Sequence, residues 1–369
     1  MQIPPVRIVF SEDDRKEILG KIDAALTQGK VAQGDNLKAF EAAFAAYCGA
    51  KHAVGVSSGG SALEVAMRLL GVKGKEVIVP TNTFAASATS VLMAGGDVKF
   101  ADIDAATFSL SLAGIQAAFS PGKTAGVILV HIGGIITPEI EKIREWCDQK
   151  GVWLFEDAAH AHGSEWKGKR AGLFGKAAAY SFFATKVMTS GEGGMIVTND
   201  DDLANKARGL RDYGKADPWV SFHTQIGSNW RMSEFCAIIG GVHLKRLDDF
   251  INWRGKITKI YTERLKGFSK LKLVLPADRS SWYKYIALLP AGLKSEAVKP
   301  KMKELGVSLA GGVYEMPLHQ QPVFKDIASG RSFPVADDVC ARHICLPLYY
   351  GMKDEEAEFV VQSLKTVLS

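Results

Sequence analysis

The chain has 369 residues, 47% of them hydrophobic, which is length for one large domain and a smaller one, because single cores stop growing at roughly 250–300 residues. Its 45 basic and 40 acidic residues leave a formal charge of +5 with no long basic run, which argues against nucleic acid and suits a mildly positive cleft for an anionic small molecule. Five cysteines without a CxxC pair argue against a disulfide framework or zinc site, and with no signal peptide and no run near ~18 apolar residues, a soluble cytoplasmic protein with reduced thiols and no membrane partner is expected.

In chain order, Ser11 followed by Glu12, Asp13 and Asp14 opens a helix continued by Ile18, Ile22 and Ala25. A second helical pattern covers Leu37 to Cys48. His52 to Ser57 reads as a strand, and Ser58, Gly59, Gly60 and Ser61 lead into the amphipathic run ALEVAMRLL. A strand, a small-residue turn and a helix start offer free N–H groups and a positive dipole end to a phosphate, although the same turn also serves as an ordinary serine cap. The GxGxxG and GxxxxGK spacings of dinucleotide and nucleoside triphosphate sites are missing.

Apolar strand runs then alternate with helices: 76–80, 98–104, 126–132, 152–158, and the two runs flanking Lys186 within 177–198, with a helix over 138–149 opened by Pro138. The pattern predicts an α/β fold with a mostly parallel sheet covered on both faces, whose ligands gather beyond the carboxyl ends of the strands. Phe84 follows the strand at 76–80 and is either core or a face for stacking a flat ligand. His131, Ile132, Gly133 and Gly134 make a turn after the strand at 126–132. Asp157 ends a buried strand and needs a cation or an N–H partner, which an ordinary ion pair would also supply. His160 and His162 lack a third donor at supporting spacing, so no metal is expected.

Lys186 sits in a polar loop closed by Ser190, Gly191, Glu192, Gly193 and Gly194. It is a solvated surface charge or, if desolvated, a nucleophile toward an aldehyde. Further on, Ser233 to about Leu265 reads as long helix with a break near Gly255. A strand over 282–289, a helix over 295–305 containing Pro300 and a final helix over 354–368 complete a smaller α+β region. The expected division is 1–245 and 246–369. One cofactor explains the scattered candidates: pyridoxal phosphate needs a lysine, a phosphate cradle, an acid for its pyridine nitrogen and a stacking ring.

The stretches SGGSAL, VIVPTNTF, FEDAAHAHG, SFFATKVMTSGEGG and IGSNWRMSE closely resemble the sugar aminotransferase family named after the DegT, DnrJ, EryC and StrS proteins, from about residue 10 to the C-terminus. The resemblance implies the aspartate-aminotransferase type of pyridoxal phosphate fold, with a seven-stranded sheet, and a homodimer with active sites at the subunit interface. It implies that Lys186 carries the cofactor as a Schiff base and Asp157 holds the pyridine nitrogen. Gly60, Ser61 and Ser181 would bind the phosphate, Phe84 would stack on the ring, and Asn229 would reach the phosphate of the neighbouring subunit. His160 stands where many members have glutamine, near the cofactor's 3-hydroxyl, and His319 is a candidate substrate contact or a plain loop histidine. The implied activity is transfer of an amino group from glutamate or glutamine to a keto-sugar through the pyridoxamine phosphate form. A keto-cyclitol aminotransferase, an aminohydroxybenzoate-synthase-like enzyme and a non-enzymatic cofactor-binding regulator are the alternatives. Gly60 in place of the usual threonine and HIGG in place of the frequent HLYG set this chain apart.

Overall fold

The computed structural model describes residues 1–217, 220–309 and 311–369. Twelve strands lie among them: β1 His52–Val56, β2 Glu76–Pro80, β3 Asp97–Ala101, β4 Thr124–Val130, β5 Trp153–Asp157, β6 Glu165–Trp166, β7 Lys169–Arg170, β8 Ala177–Ser181, β9 Gly194–Thr198, β10 Lys272–Val274, β11 Tyr285–Leu288 and β12 His343–Leu346. Seven form one sheet in the order β1-β9-β8-β5-β4-β2-β3, and β10-β11-β12 form a second. In the large sheet only β9 is reversed, pairing antiparallel with both β1 and β8. Six strands therefore end at the same edge, and the start of β9 joins them there.

The apolar runs are continuous because both faces of this sheet are covered. Val77, Val79, Ile128, Phe155 and Ile196 pack into one buried cluster with the helices Gly59–Leu69, Ala85–Met93 and Asp201–Leu210. Their neighbours Ile78, Val127, Leu129, Leu154 and Val197 point the other way, against Asp35–Cys48 and Ile140–Lys150. The two-residue alternation of a strand thus divides one hydrophobic sequence between two cores. Each such side chain contributes roughly 1.5–3 kcal/mol on burial. The small sheet repeats the device, with Ile286 and Leu288 in the first cluster and Tyr285 and Ala287 facing the helices Leu247–Leu265 and Asp354–Leu368.

Several boundaries differ from the sequence reading. The predicted strand over 98–104 stops at Ala101 because Asp102 turns away to accept the backbone N–H groups of Val335 and Ala336 at 3.0 and 2.9 Å. The long helix breaks at Arg246 rather than near Gly255, which lies inside Leu247–Leu265. Arg246 is held there by the Asp14 carboxylate at 2.7 Å and the Tyr350 hydroxyl at 2.9 Å. The strand expected over 282–289 is Tyr285–Leu288, while Pro300 lies within the helix Ser295–Glu304 as read.

Candidate active site

A cavity of about 600 Å³ opens where the parallel strands end, and Ser58, Gly59, Phe84, Asp157, His160 and Lys186 are among the residues that line it. After β1 the chain turns at Ser58, whose hydroxyl accepts the Ser61 N–H at 3.0 Å and caps the helix Gly59–Leu69. A Cβ on Gly59 would lie 2.7 Å from the Ser181 Cβ and 3.2 Å from its Cα, so only glycine lets the helix start come this close to the end of β8. The first turn of an eleven-residue helix, with its free N–H groups, therefore faces the cavity.

Asp157 ends β5 and is 5% exposed. One carboxylate oxygen accepts the Ser87 hydroxyl at 2.7 Å, the other accepts the Ala159 N–H at 3.2 Å, and Thr83 holds Ser87 at 2.8 Å. Burial pushes its carboxyl above the ordinary range, and those two hydrogen bonds offset only part of that rise. Lys186 is half-buried, with its Nζ 4.9 Å from the centre of the Tyr283 ring. Burial lowers its pKa below the usual lysine value, against the opposing pull of Tyr283 and Asp157. The same enclosure thus favours a neutral amine at Lys186 and a poorly compensated carboxylate at Asp157.

His160 is buried between two aromatic rings, stacked on Tyr283 at 4.2 Å and on Tyr314 at 5.9 Å. Its Nδ1 accepts the Gly133 N–H at 3.3 Å, which assigns the proton to Nε2, 3.2 Å from the Tyr314 hydroxyl. Burial, with the charges of Lys186, Lys284 and His162 adding to it, holds the imidazole well below its normal pKa and therefore neutral. Tyr283 experiences competing effects. Burial alone would raise its phenol, but Lys186, Lys284, the Thr185 hydroxyl and Arg254 together bring it below the ordinary value.

The sequence candidates separate into three groups. Lys186, Asp157, His160, Gly60, Ser181 and Phe84 all line the cavity, Phe84 as an exposed ring 6.2 Å from Tyr314. Ser61 lies just behind it, its hydroxyl 2.9 Å from those of Ser57 and Ser58, so that Ser58 rather than Ser61 is the serine on the wall. Asn229 and His319 are outside. Asn229 is exposed on the surface of the single chain. His319 is a tie between elements: Nδ1 lies 2.5 Å from the Thr81 hydroxyl after β2, and Nε2 lies 2.8 Å from Asp337 in the helix Pro334–Arg342. Sequence reasoning did not single out Tyr283, Lys284 or Tyr314; the first two lie just before β11 and Tyr314 in the loop after the helix Ser295–Glu304. Ser87 was also missed, although its place one turn into a helix that starts beside Phe84 is the signal that could have found it.

Comparison with known proteins agrees with this geometry. A pleiotropic regulatory protein of Geobacillus stearothermophilus is 34% identical over 96% of this chain and 95% of its own length. A GDP-perosamine synthase of Vibrio cholerae is 31% identical over 98% of each chain. Among solved structures, DesV of S. venezuelae, in complex with a ketimine intermediate, superposes with a TM-score of 0.92 at 30% identity, covering 99% of this chain and 98% of that one. The model of one family matches residues 12–365, and with the cavity described above it places the chain in the DegT/DnrJ/EryC1/StrS aminotransferase family.

Proposed function

We propose that this protein is a pyridoxal phosphate-dependent aminotransferase of amino-sugar biosynthesis, transferring an amino group from glutamate or glutamine to a keto-sugar that carries a phosphate or nucleotide. The observation that carries the reading is a half-buried lysine with depressed basicity and a buried carboxylate that makes no ion pair among the described residues, facing one cavity beside a helix start. The residues fit the cofactor. Gly59 keeps the cradle open where a Cβ would close it, and Asp157 is an acceptor awaiting a protonated nitrogen.

When bound, the cofactor supplies an aldehyde that takes up the amino group and a ring that draws electrons from the donor's α-carbon. Lys186 would hold that aldehyde and, once displaced, its neutral amine would move a proton from the donor's α-carbon. Asp157 would keep the ring nitrogen protonated, with Ser87 and Thr83 fixing the carboxylate's orientation. The N–H groups following Ser58, with Gly60 and the Ser181 hydroxyl, would hold the phosphate, and Phe84 would cover the ring. His160, neutral with its proton on Nε2, would be a donor toward the cofactor's hydroxyl. Asn229, exposed on one chain, would complete the phosphate site of the second copy in a homodimer.

The resemblance to a GDP-perosamine synthase supports a nucleotide-linked acceptor. Offering the pyridoxamine-loaded protein free, phosphorylated and nucleotide-linked keto-sugars, with a keto-cyclitol as the rival, identifies the acceptor by recovery of the pyridoxal form. The decisive experiment is spectral. The visible band of the lysine-bound cofactor should vanish in Lys186→Ala, with turnover reduced about 10²- to 10⁴-fold. A Lys186→Ala protein that keeps both band and turnover would sink the assignment. Conversion by glutamate in a single turnover separates an enzyme from a regulator that only binds the cofactor.

A further inference from the structure

The helix Leu247–Leu265 presents Arg254, 4% exposed, to the back of the cavity. Its Nη1 donates to the carbonyl oxygens of Trp282 at 3.2 Å and Leu348 at 3.1 Å, while its Nε has no partner. Burial pulls the guanidinium down to about 10. Next to it Lys284 is half-buried and lines both the cavity and a side recess. Among the described residues, the ion pairs include none to Arg254 or Lys284. Two cations enclosed without a counter-ion are costly, and an anion that enters between them recovers that cost.

The side recess shares Thr185, Tyr283 and Lys284 with the main cavity and ends at Arg254, Leu346 and Leu348. It holds about 10 Å³, room for one water-sized atom. One oxygen of a carboxylate fits such a space. The two lysines also lie against one ring: Nζ of Lys186 and Nζ of Lys284 are 4.9 and 5.3 Å from the centre of Tyr283.

We propose that Lys284 and Arg254, with Tyr283 between them, form a carboxylate recess that receives the α-carboxylate of the amino donor. The assignment rests on the aminotransferase reading, and it adds the residues that select and orient the donor. Lys284 supplies the contact at the mouth and Arg254 the charge at the end. Tyr283 is the ring that both ammonium groups approach.

The test begins with glutarate, a dicarboxylate that has no amino group to transfer, titrated by calorimetry into the full-length protein. Lys284→Met keeps the stem and removes the charge, and it should weaken glutarate binding about tenfold or more. Equal binding by the two proteins overturns the recess. In the cofactor-loaded protein the same variant should raise the half-saturating concentration of L-glutamate by a similar factor and leave the KM of the keto acceptor unchanged. A rise confined to the acceptor assigns the charge to the acceptor's anion and overturns the donor role. A tyrosinate ultraviolet band in the wild-type protein at neutral pH, lost in Tyr283→Phe, shows that the phenol neutralises the cations internally and also overturns it. A wild-type protein that binds glutarate through Lys284 but shows no visible band and no reaction with L-glutamate refutes the aminotransferase reading instead, and leaves a carboxylate recess in place.

Discussion

Lys186 and Asp157 bear opposite consequences of one enclosure. Burial favours the neutral form of each, which activates the amine and leaves the carboxyl short of compensation until a cation arrives. Their charges are coupled, since ionised Asp157 favours the ammonium of Lys186 and the nearby Lys284 disfavours it. The sign of the pH response follows. Capture of pyridoxal phosphate by the cofactor-free protein should rise with pH through a midpoint below the ordinary lysine value of 10.5. Asp157→Asn removes a negative charge and should move that midpoint lower still; Lys284→Met removes a positive one and should move it higher. Stopped-flow absorbance of cofactor capture across pH measures all three. A midpoint at the free-lysine value, or shifts of reversed sign, would show that the enclosure does not set the amine's basicity. The polar ends of these strands were legible in the sequence because a buried sheet has few polar residues, and those it keeps stand where a ligand meets the strand ends. Tyr283 and Lys284 were not, because an aromatic and a lysine before a short strand look like ordinary surface until the small sheet folds them over the cavity.

The cradle after β1 is where a single methyl group decides between tolerance and loss. The Cβ that Gly59→Ala adds would meet the Ser181 Cβ at 2.7 Å and its Cα at 3.2 Å, and backbone cannot yield cheaply. That variant should lose cofactor readily on dialysis. One residue on, a Cβ at position 60 meets nothing closer than the Ser58 hydroxyl at 3.7 Å. Gly60→Thr should therefore fold with stability within about 1 kcal/mol of wild type, and its hydroxyl should slow cofactor release. Residual absorbance after dialysis distinguishes the two, and equal retention would remove the phosphate role from this turn. The departure from the usual threonine is thus a missing contact and not a steric requirement. The seven strands of the large sheet were readable from their apolar runs, whereas several of their ends were not. Asp102 leaves the strand to cap a helix more than 230 residues later, and Arg246 breaks a helix in order to pair with Asp14. Such long-range partners leave no local trace. The short strand β10 and the helix Pro334–Arg342 went unread for the same reason: their burial is set by the first cluster, which they join through Val274, Val339 and Cys340.

At the scale of the whole molecule, the cavity is assembled from distant parts of one chain, and the proposed dimer would complete it. His319, read from sequence as a substrate contact, bridges Thr81 at the end of β2 and Asp337 on the helix Pro334–Arg342, so it fixes one wall without reaching the interior. Asn229 reaches nothing in its own cavity and is exposed beside Arg231, which pairs with Asp212. If the asparagine serves a second copy, the two defects can be separated by chain. In a two-fold dimer each site would take Lys186 from one subunit and Asn229 from the other. Lys186→Ala alone cuts turnover about 10²- to 10⁴-fold, and Asn229→Asp alone sets a negative charge toward the phosphate. Co-expressed, the two variants pair at random, and half of the dimers are mixed. Each mixed dimer has one site lacking both residues and one site with both intact, so the preparation should recover about a quarter of wild-type turnover. Isolating the mixed dimer through two different affinity tags should raise that to about half. Turnover no higher than that of the two parent variants would mean that each chain builds its site alone, and Asn229 would then lose its assigned role.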